Sequence, residues 1–214
     1  MTIFQTLTKT LAAIALIASS HCAASTDAAQ REVLILGDSL SAAYGLAIEQ
    51  GWVALAAQQL KKTHPDAILV NASISGETSG GGLARLPALL KRHSFELVVI
   101  ELGANDGLRG YPPATLGDNL IAMGERAKAA GAKVIMVEVE IPANYGRRYI
   151  KALGAQFERA ATTAGASLVP FLALDIGKDP TLLQSDGLHP TAKAQPLIAT
   201  HLLPFIRAEL DDNE

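Results

Sequence analysis

From Arg31 onward the chain alternates short apolar runs with longer stretches of helical spacing. That alternation is the signature of βαβ units, and it restricts the chain to an α/β fold with a parallel sheet. The apolar runs at 33–36, 67–71, 97–102 and 134–139, with a shorter one at 167–169, read as buried strands. The spacing between them predicts helices over 51–62, 82–93, 113–130 and 145–164, and a last helix over 190–210. Gly131 and Gly165 each follow a helical run, where a C-terminal cap is expected. Pro190 suits the first turn of the last helix, which Pro196 and Pro204 are expected to kink or interrupt.

A length of 214 residues with 49% hydrophobic and 18% charged side chains suits one folded domain with a sizeable core. A formal net charge of -3 gives no basic footprint, which argues against nucleic-acid binding. Residues 1–24 have the anatomy of a secretory signal peptide: Lys9 and the amino terminus at the positive end, an apolar stretch over 11–18, then small residues around Cys22-Ala23-Ala24-Ser25. Cleavage is expected between Ala23 and Ala29, which leaves 25–214 as a single domain and points to a periplasmic or secreted protein. An uncleaved anchor and lipidation of Cys22 are the rival readings; His21 stands where a lipoprotein signal wants a small residue. Cys22 is the sole cysteine, so no disulfide is expected in the mature protein. No later stretch is long and apolar enough to insert stably in a membrane.

Two segments carry the chemistry. Gly37-Asp38-Ser39-Leu40 closes the first apolar run, so Ser39 leaves the carboxyl end of a strand, where open α/β sheets form their ligand crevices. Asp186-Gly187-Leu188-His189-Pro190 places a carboxylate three residues before an imidazole. One turn can then bring Asp186 to Nδ1 of His189 and leave Nε2 for a serine. Ser39, His189 and Asp186 are thus the candidate nucleophile, base and orienting acid. Ser41 is a competing serine, and Ser39 also suits a helix cap. His64, His93 and His201 sit in a turn, at a helix end and inside the last helix, and are weaker candidates. An acyl-transfer site also needs donors for an oxyanion. The N–H groups of Ser39 and Gly76 and the side-chain amide of Asn105 qualify, although glycine and asparagine are also ordinary turn residues.

The pattern is not G-x-S-x-G, because Ser41 occupies the second glycine position. Gly37-Asp38-Ser39-Leu40, Gly76, Gly103-Ala104-Asn105-Asp106 and Asp186-Gly187-Leu188-His189 instead resemble the four ordered blocks of the SGNH, or GDSL, hydrolase family. The segments 40–45, 71–78 and 107–110 look like its bacterial periplasmic thioesterase/lysophospholipase branch, often called arylesterases. The resemblance covers nearly all of 31–210. It implies a three-layer α/β/α sandwich with a flavodoxin-like five-stranded parallel sheet, a monomer, and hydrolysis of small-molecule esters and thioesters with no cofactor or metal. Neither H-E-x-x-H nor a Cys/His cluster is present.

An apolar acyl groove is expected from Leu46, Ile74, Leu108, Tyr111, Ile141, Pro142 and Tyr145, on segments that topology gathers beside Ser39. Three features depart from the branch. Glu77 replaces an expected aspartate. Gly80-Gly81-Gly82 predicts a more mobile loop after Gly76. Glu138 and Glu140 place two acids together, as salt-bridge partners of Arg147 or Arg148 or, less simply, as a glycosidase-type pair. Two other functions compete: deacetylation of acetylated glycans, disfavoured by 5% aromatic content, and non-catalytic anion binding at the glycine run.

Overall fold

The computed structural model of the chain describes residues 30–171 and 173–212; the leader reading at 1–24 lies outside them. Five parallel strands, β1 (Arg31–Gly37), β2 (Ala67–Asn71), β3 (Phe95–Glu101), β4 (Lys133–Glu138) and β5 (Ser167–Pro170), form one sheet in the order β2-β1-β3-β4-β5. This is the flavodoxin-type order that the resemblance implies.

Successive side chains of a strand point to opposite faces, and here both faces are covered. Val33, Ile35, Leu97, Val99, Ile135, Val137 and Val169 pack with α1 (Trp52–Leu60) and α7 (Gln195–Asp211). Leu34, Leu36, Val98, Ile100, Val134 and Met136 pack on the other side with α2 (Ser79–Arg92), α4 (Pro113–Ala129) and α5 (Arg147–Ala164). Burial on both faces explains why the strands read as unbroken apolar runs.

Two short helices, α3 (Ala104–Leu108) and α6 (Ala173–Lys178), fall below the length at which periodicity is readable. The last helix begins at Gln195. Pro190 sits five residues earlier, in an isolated bridge to Leu183. Pro196 falls in the first turn of α7, where a proline lacks nothing, and the helix continues past Pro204 to Asp211. Gly165, at φ 59, is the left-handed cap of α5, and Gly131, at φ 91, follows the last residue of the α4 cap.

The glycine run is not a loop. Thr78 caps α2 by accepting the Gly81 N–H, so Gly80, Gly81 and Gly82 form its first turn. Two of the three are crowded: a Cβ on Gly81 would collide with the Glu77 carboxyl and one on Gly82 with Leu102, whereas one on Gly80 would meet only ordinary contacts with Asn119 and Thr78.

Candidate active site

The sheet order changes direction between β1 and β3, and the crevice of such a sheet opens at that switch, beyond the carboxyl ends of the strands. The turn after β1 carries Ser39 and the turn after β3 carries Asn105, so both side chains start at the switch. Asp38 opens the first turn. Its Oδ1 accepts the Leu40 N–H at 3.0 Å and its carbonyl accepts the Ala42 N–H at 2.9 Å, which turns the chain sharply and leaves Ser39 at the surface of the cleft.

Ser39 Oγ lies 2.9 Å from His189 Nε2, and His189 Nδ1 lies 2.6 Å from Asp186 Oδ2. The other oxygen of Asp186 accepts the N–H groups of Leu188 (2.9 Å) and His189 (3.0 Å). Burial opposes the charge on Asp186, but the bonds from the backbone and ring of His189 and from the Leu188 N–H outweigh it and hold the carboxyl at about 2. An ionised carboxylate only accepts, so the imidazole proton sits on Nδ1, and Nε2 is left to accept from the Ser39 hydroxyl.

Ser41 takes no part in this relay. It is buried, donating from Oγ to Glu101 Oε2 (2.8 Å) and accepting from Trp52 Nε1 (3.2 Å). The geometry thus pairs His189 with Ser39, the serine the sequence favours, and not with Ser41. His64, His93 and His201 are paired elsewhere, with Asp211, Glu32 and the Pro170 carbonyl.

Gly76 and Asn105 face the same cleft as Ser39. Glu77 N–H bonds to the Ile74 carbonyl across a four-residue turn, and Gly76, at φ 78, occupies the position that requires a positive φ. Asn105 is the second residue of α3. The cap before it, Gly103, is at φ 129, and a Cβ there would press on Phe157 and Leu116 at 2.9 and 3.0 Å. One hydrogen of Asn105 Nδ2 goes to Asp38 Oδ2 at 3.0 Å, which fixes the amide and leaves the second hydrogen to point elsewhere. Burial pushes Asp38 up to about 6, against the bonds from Leu40 and Asn105 and the charge of His189. Asp106, the next residue, accepts the Ser79 N–H (2.8 Å) and hydroxyl (2.5 Å). A carboxylate already sits on the N-terminus of α2, which removes the anion cradle that the glycine run suggested.

The cleft has a volume of about 890 Å³, within the range that encloses a small organic ligand. Of the residues expected along it, Leu108, Ile141 and Pro142 line it; Leu46, Ile74, Tyr111 and Tyr145 do not. Ile74 is half exposed, and the Tyr145 hydroxyl is turned to the Leu108 carbonyl. The other apolar wall comes from residues sequence reading did not name: Tyr44, Ile150, Phe171, Ile176 and Leu183. Tyr44 also lays its ring on the His189 imidazole, with centroids 4.3 Å apart and a 35° tilt. Glu140 and Lys178 add charge to the lining. Burial raises both Glu138 and Glu140. The charges of Glu140 and Glu158 push Glu138 further up and that of Lys178 pulls Glu140 back; the expected Arg147 and Arg148 are not among the charges that shift them.

Residues 35–196 match the model of the GDSL-like lipase/acylhydrolase family. The chain belongs to that family. This GDSL hydrolase is 48% identical over 180 residues to esterase TesA of Pseudomonas aeruginosa, an alignment that spans 84% of this chain and 90% of the relative. It is 43% identical over 189 residues to an arylesterase of Vibrio mimicus (88% and 92% covered). It is 45% identical over 172 residues to thioesterase 1/protease 1/lysophospholipase L1 of Escherichia coli (80% and 81% covered). Among solved structures, the fold of the GDSL hydrolase matches a crystal structure of TesA with a TM-score of 0.81 at 47% identity, covering 84% of this chain and 99% of the other. The esterase EstA of Pseudoalteromonas, solved inhibited by monoethylphosphonate, matches equally well: TM-score 0.81, 47% identity, with 85% and 100% covered.

Proposed function

We propose that this hydrolase is a serine esterase that cleaves carboxylic esters and thioesters through an acyl-enzyme on Ser39. The observation that carries the reading is the unbroken relay Ser39–His189–Asp186 at the mouth of an apolar cleft. Ser39 Oγ attacks the substrate carbonyl carbon while its proton passes to His189 Nε2. The negative oxygen of the tetrahedral intermediate is held by the N–H groups of Ser39 and Gly76 and by the free hydrogen of Asn105 Nδ2. Collapse breaks the bond to the leaving oxygen or sulfur, which takes the proton from His189. Water then repeats the sequence in reverse and frees Ser39. Asp38 keeps the Asn105 amide turned toward the intermediate.

The relatives' names, an esterase, an arylesterase and a thioesterase/lysophospholipase, favour acyl substrates. So does a wall of Leu108, Ile141, Ile150, Phe171 and Ile176, which suits a hydrocarbon chain better than a sugar. Among the described residues no helix is long and apolar enough to cross a membrane. Taken with the leader expected at 1–24, the proposed site of action is the periplasm or the medium, with the mature enzyme a monomer.

Purified mature protein treated with a fluorophosphonate is expected to carry the label on Ser39 alone. Ser39→Ala and His189→Ala are each expected to lower kcat on p-nitrophenyl butyrate by about 10³-fold or more, because the members of such a relay act as a unit. Label on another serine, or an active Ser39→Ala variant that circular dichroism shows folded, would overturn the assignment.

A further inference from the structure

We propose that Glu101 is a positioning residue for this hydrolysis: buried beneath the nucleophile turn at the end of β3, it holds that turn through the Ser41 hydroxyl and the Asp38 N–H, and so sets where Ser39 stands. The inference rests on Ser39 as the nucleophile.

Glu101 ends a strand whose preceding residues, Val98, Val99 and Ile100, are all apolar core, and its side chain is fully buried. Oε2 accepts from Ser41 Oγ at 2.8 Å and from Asp38 N–H at 3.4 Å. On the paired strand β1 the residue in register with Glu101 is Gly37. A Cβ at Gly37 would come within 2.8 Å of Glu101 Oε2 and of the Ser41 side chain, so the glycine that precedes Asp38-Ser39 leaves the room the carboxyl needs.

The Ser41 hydroxyl is held from a second side by Trp52 Nε1 of α1, and the Ser41 carbonyl from a third by Asn71 Nδ2 at the end of β2 (2.8 Å). Three elements therefore converge on one residue two positions after the nucleophile. Of the three, only Glu101 also reaches the backbone of Asp38, immediately before Ser39. The turn is gripped on both sides of the reacting residue.

A buried acid in a place where leucine would pack demands a reason, since an apolar residue there would leave the Ser41 O–H and the Asp38 N–H without acceptors. Ser41 meets the group as a neutral donor, with Trp52 behind it on the Ser41 hydroxyl, and the charged group facing it is Asp38, on which His189 and Asp106 act in turn. Burial, and then the Asp38 carboxylate, push Glu101 well above its ordinary range, which favours its neutral form. Both bonds fall on Oε2, while Oε1 is buried and has no hydrogen-bond partner among the described residues. The working atom is thus an accepting oxygen. An amide can replace it.

The test compares Glu101→Gln, Glu101→Ala and Ser41→Ala. For each, active sites are titrated with a fluorophosphonate, kcat and KM on p-nitrophenyl butyrate are measured per titrated site, and melting temperature is recorded. Glu101→Ala is expected to lose about 10- to 100-fold in kcat per site with KM nearly unchanged, the scale of a nucleophile displaced by a fraction of an ångström to an ångström. Glu101→Gln, which keeps the acceptor, is expected to restore kcat to near the wild-type value. Ser41→Ala cuts one tie while leaving the carboxyl in place, so it decides the matter if Glu101→Ala does not fold; its kcat per site is expected to fall about tenfold. Melting temperatures that drop while kcat per titrated site stays at the wild-type value would make Glu101 a stability residue and overturn the proposal. A Glu101→Gln variant as slow as Glu101→Ala would overturn it too. Failure of the nucleophile reading is separable, because it shows in the wild type as label on a residue other than Ser39.

Discussion

The two halves of the relay are built by opposite means. The nucleophile turn after β1 rests on buried polar groups: Asp38, Ser41 and Glu101 are fully or almost fully shielded and are tied to β2, β3 and α1. The segment carrying Asp186 and His189 is largely exposed, with the Asp186 side chain 40% accessible, and is held mainly by local bonds. Gln184 N–H bonds to the His189 carbonyl, Thr191 N–H to the Leu182 carbonyl, and Gln184 Nε2 spans the carbonyls of Tyr44 (2.8 Å) and Pro190 (3.0 Å). A nucleophile needs a fixed position, which burial and many partners enforce. A base must exchange protons and needs access to water, so its segment gives up burial and relies on short-range hydrogen bonds. Gln184 is where the two constructions meet.

Breaking the buried half should cost most. Asn105→Ala removes one oxyanion donor and the partner of buried Asp38, and the expected loss is about 10²–10³ in kcat with a smaller change in KM. A pure KM effect in steady-state kinetics would make Asn105 a substrate-binding residue instead. Loosening the exposed half with His189 itself in place should cost less. Gln184→Ala cuts the link between Tyr44 and Pro190, and about tenfold in kcat is expected as His189 loses its register with Ser39. Full activity would mean that the Asp186 bonds alone set the ring.

The cleft runs between these halves, and its two walls give a smaller effect. Leu108→Ala, on the wall after β3, is expected to lower the kcat/KM preference for octanoyl over butyryl p-nitrophenyl esters by about fourfold, the worth of one buried methylene. The enzyme is expected to turn over short and medium acyl or aryl esters best and long acyl-CoA more weakly. A steady rise in kcat/KM up to palmitoyl would refute that ranking, and an unchanged chain-length profile would remove Leu108 from the acyl path.

The strands were legible because each is buried on both faces, so apolar runs mark them without ambiguity. The sheet order and the juxtaposition of Ser39 with His189, 150 residues away, followed from the four blocks and the rule that loops gather at one sheet edge. What escaped depends on three-dimensional crowding. The three glycines of 80–82 read as a flexible loop, yet they lie in the first turn of α2 under the Thr78 cap, and at Gly81 and Gly82 the side chains of Glu77 and Leu102 occupy the space a Cβ would need. Tyr111 and Tyr145 read as groove residues by proximity in sequence, but their loops turn them aside. Phe171 and Ile176 come from a segment with no periodic signal. Glu101 left one mark in the sequence, an acid ending the run Leu97-Val98-Val99-Ile100 before Leu102, and its meaning rests on contacts with Ser41 and Asp38.

The contrast between the halves also predicts opposite responses of stability to pH. Asp186 titrates at about 2 in the folded protein, below its ordinary 3.8. Its contribution is therefore complete above the ordinary value and is lost as pH falls toward 2, because the unfolded chain binds the proton first. Asp38 is displaced the other way, from 3.8 to about 6. Between those values the folded protein holds a proton that the unfolded chain has released, so stability declines as pH rises through that window. Asp186 is well solvated, so its effect should be the weaker of the two. Melting temperatures of the wild type, Asp186→Asn and Asp38→Asn, followed from pH 2.5 to 7.5 in matched buffers, separate the two terms. Asp186→Asn is expected to flatten the acid limb alone, and Asp38→Asn the decline toward neutrality alone. Parallel profiles for all three proteins would mean that neither carboxyl differs between folded and unfolded states, and the division into a buried and a solvated half would lose its electrostatic basis.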